Sequence, residues 1–464
     1  MSTLPKNPIL ATDSYKLSHG AAYPKNVVGM FSYIEARSKK DWIVPFGLQM
    51  WIKKSLLTPV TIENIDEAEA FAKAHGEPFN RTMWEKVVNV YDGFIPIRIR
   101  SVKEGTRVPS SNVLVTVECE DPDLFFLASY IETSLLRGVW YPSTIASNDY
   151  RNYTALKKYA AMTCDDLSGL PFMLHDFGGR GVTSSEQAEI GGAAHLVYFM
   201  GSDTIEGVRA ANFYYNEAMA GFSVPASEHS IQCSYGSASF QQKEYLEHML
   251  AEYAKPGAIV SIVLDGYDVY REAQQLCSMK DEIVKSGARV VLRPDSGNPL
   301  EVIPRLLQMM EMAFGSVTNT KGYKVINNVG LLQGDGVEYS TMVEILEAVT
   351  DLGYSSANIV FGSGGGLLQK VNRDTYKWAQ KASAVKLKDG TWKDIWKDPV
   401  TDPGKKSKTG RLTLLRSKMT GEYLTAPILD KMDEEWEDVM QVVYENGKLY
   451  NETSLLEVRA RAKA

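Results

Sequence analysis

Cysteine is scarce in this 464-residue chain: Cys119, Cys164, Cys233 and Cys277 are widely scattered, and no C-x-x-C pair occurs. That argues against a disulfide scaffold and a thiolate zinc centre, and fits reduced thiols in a cytoplasmic protein. Histidine is also sparse, with six residues and neither H-x-x-x-H nor H-E-x-x-H, so a structural metal has no support. No run approaches the roughly 20 apolar residues that span a bilayer. The N-terminus MSTLPKNPILATDSYKLSHG lacks the continuous apolar segment of a signal peptide, so no membrane partner is expected. An excess of positive charge is missing too: 50 basic against 57 acidic side chains give a net charge of -7. A dedicated nucleic-acid binder is therefore disfavoured, while a local basic pocket for phosphates stays open.

What is present is ordinary globular composition over a length that predicts two or more domains. Residues 1–165 read as a mixed α+β domain, with helices over Thr61–Lys73 and Phe125–Leu135. A strand pair at Ile97–Val102 and Asn112–Glu118 is joined through EGTRVPSS. From 166 to 384 one phrase recurs: a short apolar run ends in polar residues, often with a helical pattern after it. FMLHDF, HLVYFM into GSDT, FSVPASEHS, IVSIVL into Asp265, ARVVLRPDSGNP, KVINNVGLLQGDG and NIVFGSGGG are the seven examples. Parallel strands covered by helices read this way. The expected fold class is therefore α/β, a (β/α) TIM-like barrel of irregular form, with chemistry where the strand ends converge. A doubly wound open sheet is the alternative. Part of the C-terminal region 385–464 is expected to form an antiparallel hairpin that completes the first domain.

Candidate chemistry sits at those strand ends. His229 in PASEHS could act as base, acid or nucleophile toward phosphorus. Asp265, Asp295 and Asp335 could orient a histidine, hold ribose hydroxyls or place Mg²⁺; capping and turn closure are the plainer readings. In RPDSGNP, Arg293 offers a planar fork suited to a phosphate or a flat ring. FGSGGGLLQK has four glycines within five residues, and its N–H groups could cradle an anion with Gly334 and Asp335 of QGDG. It matches neither the P-loop nor the dinucleotide fingerprint. Lys397, Lys405, Lys406, Lys408 and Arg411 form a basic stretch, read as a solvated face or a reach toward polyphosphate. Together these residues predict an enzyme acting on a sugar phosphate or nucleotide.

Long motifs then add a likeness. ATDSYKLSH, SYIEARSKK, HDFGGRGVTSSE, GSDTIEG, SVPASEHS, RPDSGNP, QGDGV, FGSGGGLLQK and KDPVTDPGKKSKTGRL occur in that order over nearly the whole chain. They resemble the nicotinamide phosphoribosyltransferases, a type II phosphoribosyltransferase group. The resemblance implies a reaction of nicotinamide with phosphoribosyl pyrophosphate to give nicotinamide mononucleotide and pyrophosphate. It also implies a homodimer with active sites at the subunit interface, Mg²⁺, and ATP hydrolysis coupled through phosphorylated His229. Asp265 would orient that histidine, and Asp295 would lie on the ribose side. Phe177 and the other subunit's Tyr15 would sandwich the base, with Arg293 lining the pocket and Arg180 near base and phosphates. Asp203 would accept the amide N–H₂, favouring nicotinamide over nicotinate. Gly334, Asp335, Gly364, Gly365 and Arg373 would serve the nucleotide phosphate and ribose. Arg37, Lys397 and Lys406 would meet pyrophosphate or ATP. One departure stands out: Gly179 occupies the place of a tyrosine in vertebrate members, which frees the loop.

Overall fold

Short apolar runs ending in polar residues become parallel strands in the computed structural model, which describes residues 6–39, 41–401, 405–429 and 433–464. Lys40 of SYIEARSKK and Asp402 to Gly404 of KDPVTDPGKKSKTGRL lie outside the described residues. The chain divides into two compact units, Met1–Ser147 with Phe213–Glu217 and Asn372–Ala464, and Asn148–Asn212 with Ala218–Val371. The sequence boundaries at 165 and 384 thus differ from this division. Its first break falls inside the 32-residue helix Glu132–Thr163.

In the second unit, six strands lie in the spatial order Gly201–Ser202, Leu174–Asp176, Ile359–Ser363, Val329–Gln333, Arg289–Arg293 and Ile259–Val263. Every neighbouring pair is parallel. The two outer strands are joined through the extended segment 222–227, where Phe222 bridges Gly201 and Ala226 bridges Ser261. Ser202 N–H donates to the Phe222 carbonyl at 3.0 Å, and Ser227 N–H to the Ser261 carbonyl at 3.0 Å. The curled sheet is therefore an irregular barrel whose seventh member is no regular strand. Pro225, with no N–H to give a ladder, stands in the middle of that segment. Helices Val269–Ser278, Pro299–Phe314 and Tyr339–Asp351 follow strands. Two of them start where side chains satisfy free N–H groups: Asp268 accepts from Tyr270 and Arg271, and Asn298 accepts from Leu300.

Two strand expectations change. HLVYFM is the end of helix Ser185–His195 and the turn after it, and the strand proper is only Gly201–Ser202. A buried helix end is as continuously apolar as a buried strand, so the run alone did not separate them. KVINNVGLLQ splits: Lys324–Ile326 pairs in a side hairpin with Ser316–Thr318, and Val329–Gln333 enters the barrel. Ser184 caps the Ser185–His195 helix by accepting the Gln187 N–H at 3.1 Å, as the capping spacing predicts.

In the first unit, all neighbours of a seven-stranded sheet are antiparallel. Its order is Trp392–Asp394, Trp378–Leu387, Val27–Ala36, Val113–Cys119, Arg98–Val102, Met440–Glu445 and Lys448–Leu449. The expected C-terminal hairpin is there, beginning earlier, at Trp378. The helix expected over Phe125–Leu135 is Leu127–Tyr130 followed by Glu132–Thr163, which carries Pro142 inside it. Among the described residues no helix is long and apolar enough to cross a membrane.

Leu331 is 1% exposed and pairs on both sides, with Leu292 and Ile359. Leu331→Ala should cost about 2–5 kcal/mol through lost burial and a residual cavity. A fall in the urea midpoint of the barrel unit measures it.

Candidate active site

Strand register builds the mouth of the barrel. His175 lies opposite Gly201 on one side and Gly362 on the other, and Gly334 follows Gln333, the partner of Phe361. One level of the barrel is thus His175 with three glycines, whose missing side chains leave room for groups from neighbouring positions. Two rings use the space: a Cβ on Gly362 would stand 2.0 Å from Phe177 Cε2, and a Cβ on Gly201 would stand 2.4 Å from His175 Nδ1. A Cβ on Gly334 would meet Asp295 Oδ1 at 3.1 Å and Phe177 Cε2 at 3.7 Å. The structure therefore brings Phe177, Gly334 and Asp295 together. Burial pulls the His175 imidazole below the ordinary histidine value against the opposing field of Asp203, while His195 adds to the fall, and the ring stays neutral.

Further polar groups lie at or just past strand ends. Asp203 is exposed just after its two-residue strand; it accepts from the Ser223 hydroxyl, and its N–H donates to the Asp176 carbonyl at 2.9 Å. Arg293 ends its strand with Nη2 3.9 Å from Asp295 Oδ2, and its Nε is buried without a hydrogen-bond partner. His229 opens helix His229–Tyr235 and places Nε2 3.0 Å from Asp265 Oδ1. The Asp265 side chain is 5% exposed and that of His229 is 44% exposed, so a shielded carboxylate backs an accessible imidazole. With Nε2–H donating to Asp265, Nδ1 keeps its lone pair toward solvent. Arg180 is exposed in the turn Gly179–Gly181, directly after Phe177. A Cβ on Gly179 would press on Thr204 Oγ1 at 3.1 Å, so a larger residue there would need Thr204 to give way.

At the glycine loop, a Cβ on Gly364 would meet only the Phe177 carbonyl oxygen at 3.7 Å, and one on Gly365 nothing within 4 Å. The helix after the loop is a single turn, Gly365–Leu368. Asp335 is exposed.

The remaining predicted residues belong to the other unit. Arg37 donates from Nε to Glu35 Oε1 at 2.7 Å, and its Nη2 is buried without a hydrogen-bond partner. Arg373 donates to Asp374 at 3.2 Å, Lys406 pairs with Asp398 at 2.9 Å, and Lys397 is exposed. Tyr15 is 54% exposed and lies edge-on to His19.

Three residues escaped the sequence reading. Lys381 donates to the Gln380 carbonyl at 2.7 Å. Burial lowers its pKa against the pull of Glu132, and Arg37, Lys397 and Arg373 lower it further, so four cations share one region of this unit. Ser261, inside the barrel strand IVSIV, has a buried hydroxyl with no hydrogen-bond partner. His175 is the third. A lone Lys or Ser within an apolar run was the only signal for the first two. Among the described residues, no group of three or more His, Cys, Asp or Glu side chains is arranged to hold a metal ion.

Phe177 thus stands beside Asp295 and Gly334, and Asp203, Arg293 and the His229–Asp265 pair lie at or just past the ends of other strands of the same barrel. The model of the nicotinate phosphoribosyltransferase (NAPRTase) family matches residues 172–448. The chain belongs to that family. The model of the nicotinamide phosphoribosyltransferase N-terminal domain matches residues 7–99 as well. A nicotinamide phosphoribosyltransferase of Xanthomonas campestris pv. campestris (strain 8004) is 46% identical over 465 residues, 99% of this chain and 98% of that protein. One from Acinetobacter baylyi (strain ATCC 33305 / BD413 / ADP1) is 31% identical over 98% of this chain and 97% of that protein. Among solved structures, nicotinate-nucleotide pyrophosphorylase from Pyrococcus furiosus is similar in fold, with a TM-score of 0.64 at 17% identity over 100% of this chain and 97% of that one. Human nicotinic acid phosphoribosyltransferase follows with a TM-score of 0.57 at 15% identity, over 98% and 93%. These structural likenesses place the irregular barrel in the fold of the family.

Proposed function

We propose that this family member transfers the phosphoribosyl group of 5-phosphoribosyl 1-pyrophosphate to nicotinamide, giving nicotinamide mononucleotide and pyrophosphate for NAD formation. The observation that carries the reading is the Phe177 ring seated over Gly362 beside Gly334 and Asp295, with Asp203 two residues past Gly201 on the neighbouring strand. A planar pyridine can stack on such a ring. A carboxylate accepts the amide N–H₂ of nicotinamide and repels the carboxylate of nicotinate. The unpartnered hydroxyl of Ser261 and Nε of Arg293 are further donors for the amide oxygen or the ribosyl phosphate. The curated relatives named for nicotinamide support the same choice of base.

In the reaction, the ring nitrogen lone pair forms a bond to the anomeric carbon as the carbon–oxygen bond to pyrophosphate breaks. No proton moves. Stacking on Phe177, with the partner subunit's Tyr15 on the other face, aligns the nitrogen. Asp295 stands where positive charge builds on the ribose. Arg180, Gly334, Asp335, Gly364, Gly365 and Arg373 are assigned to the phosphate and ribose, and Arg37, Lys381, Lys397 and Lys406 to diphosphate. Mg²⁺ would enter as a companion of diphosphate, with Asp295 and Asp335 the carboxylates able to hold it, and would neutralise the leaving group.

ATP enters the proposal through His229. Its Nδ1 takes the terminal phosphoryl group as ADP leaves, Asp265 stabilises the charged ring through Nε2, and water later releases phosphate. The proposed assembly is a homodimer with no nucleic-acid or membrane partner, working in the cytoplasm. Exposed Tyr15, which needs a second subunit to become useful, and Phe213, 74% exposed, favour the dimer.

The test is product formation from nicotinamide or nicotinate with phosphoribosyl pyrophosphate and Mg²⁺, with and without ATP. Nicotinamide mononucleotide is the expected product, and His229→Ala should abolish stimulation by ATP while a basal rate remains. Product from nicotinate alone would overturn the base assignment, and no product from either would overturn the transferase reading.

A further inference from the structure

Next to the strand ends that lead to Phe177 and Asp203 lies a buried histidine–aspartate pair that the proposed chemistry leaves unused. The side chains of His195 and Asp149 are both fully buried. Nδ1 of His195 stands 2.8 Å from Asp149 Oδ2, and Nε2 stands 3.2 Å from the Gly201 carbonyl oxygen. A carbonyl oxygen only accepts, so Nε2 carries a proton, and the proton shared between Nδ1 and Asp149 Oδ2 decides whether the ring is doubly protonated. Asn152 donates to the other Asp149 oxygen at 3.2 Å, and the Phe199 ring stacks on the imidazole at 5.2 Å.

A second carboxylate faces this ring. Asp176 is fully buried; its Oδ1 accepts the Gly178 N–H at 2.7 Å, and its Oδ2 has no hydrogen-bond partner. Burial pushes the Asp176 carboxyl above the usual range, and His195 and the Gly178 N–H draw it back. Burial likewise pulls His195 down, and Asp149, then Asp176, carry it above the ordinary histidine value. His175 is the other titratable neighbour, neutral in its own burial, with Asp203 beyond it.

Both strand ends pass through this group. Gly201, whose carbonyl His195 holds, opens the strand that leads to Asp203. Asp176 closes the strand that leads to Phe177, and its own carbonyl accepts the Asp203 N–H. We propose that His195 is a positioning residue for the base slot: doubly protonated between Asp149 and the Gly201 carbonyl, it holds the strand ends bearing Phe177 and Asp203 at the spacing a planar amide ring requires. The proposal rests on the assignment of that slot to nicotinamide.

Nitrogen-15 NMR of the full-length enzyme labelled at histidine tests the charge without turnover, with His195→Gln identifying the signal. Both ring nitrogens of His195 should be protonated at about pH 7.5, where an ordinary histidine has lost most of its charge. Steady-state kinetics test the positioning. His195→Gln keeps a donor for Gly201 without the charge, and Asp149→Asn, the milder change, removes the counter-charge should the first variant fail to fold. Each should raise KM for nicotinamide by roughly tenfold or more, with kcat and KM for phosphoribosyl pyrophosphate within about twofold. A neutral His195 in an active enzyme sinks this proposal alone, as does a lowered melting temperature with unchanged KM for nicotinamide. A wild-type enzyme that makes no nicotinamide mononucleotide overturns the slot assignment and takes the proposal with it, while the NMR result still reads the charge of His195.

Discussion

Alanine at position 362 is expected to lower kcat/KM for nicotinamide by about 10²–10³-fold in a protein that stays folded. The added methyl group would stand 2.0 Å from the Phe177 ring, which no contact of carbon with carbon allows. Gly362 is not among the glycines with positive φ, so the backbone accepts alanine, and the ring has to move instead. The overpacking costs about 1–3 kcal/mol of stability, too little to unfold a domain of this size. What is lost is the stacking wall that aligns the ring nitrogen with the anomeric carbon. Kinetics with nicotinamide, together with a melting curve, separate the two effects. Unchanged kinetics in a folded variant would show that Phe177 is not the stacking ring. Gly334→Ala should be milder, because its methyl group would sit 3.7 Å from the same ring.

The other large effect concerns the choice of base. Asp203→Asn should reduce the preference for nicotinamide over nicotinate, as a ratio of kcat/KM values, by about 10²–10³-fold. A charge-assisted hydrogen bond to the amide is lost, and the repulsion that keeps a carboxylated ring out is lost with it. Both terms act in the same direction on the ratio. Asp203 also tends to raise the pKa of His175, but burial dominates there, so removing the carboxylate leaves that imidazole neutral and adds no compensating cation. Competition between the two bases at equal concentration is the direct measurement. A ratio that does not move would take the amide-accepting role from Asp203.

Much of the barrel was readable because buried parallel strands are apolar throughout and the residue that closes each is polar. IVSIVL, ARVVLRP and NIVFG became strands at Ile259–Val263, Arg289–Arg293 and Ile359–Ser363. The same cue failed at HLVYFM, where burial is shared by helix and strand. The helical reading fell short at Glu132–Thr163, which was expected to end at Leu135 and runs on past Pro142. The site shows a similar divide. Ends of strands advertised His229 and Asp265, and these two meet at 3.0 Å. Register did not announce itself: that His175, Gly201 and Gly362 share one level depends on how separate strands align, which no single segment contains. Lys381 was hidden for a related reason, since its role beside Arg37, from the far N-terminal part of the chain, depends on strand pairing.

The antiparallel sheet of the first unit has a consequence for synthesis on the ribosome. Its three N-terminal strands, Val27–Ala36, Val113–Cys119 and Arg98–Val102, form the middle of the sheet. Their two outer edges are paired by Trp378–Leu387 and Met440–Glu445, which are translated last. A nascent chain therefore carries two open strand edges through the whole time that the barrel emerges, and such edges invite pairing with other chains. Premature termination between Ser363 and Trp378 should consequently yield an aggregating product with both edges bare, even though every strand of the barrel has already been made.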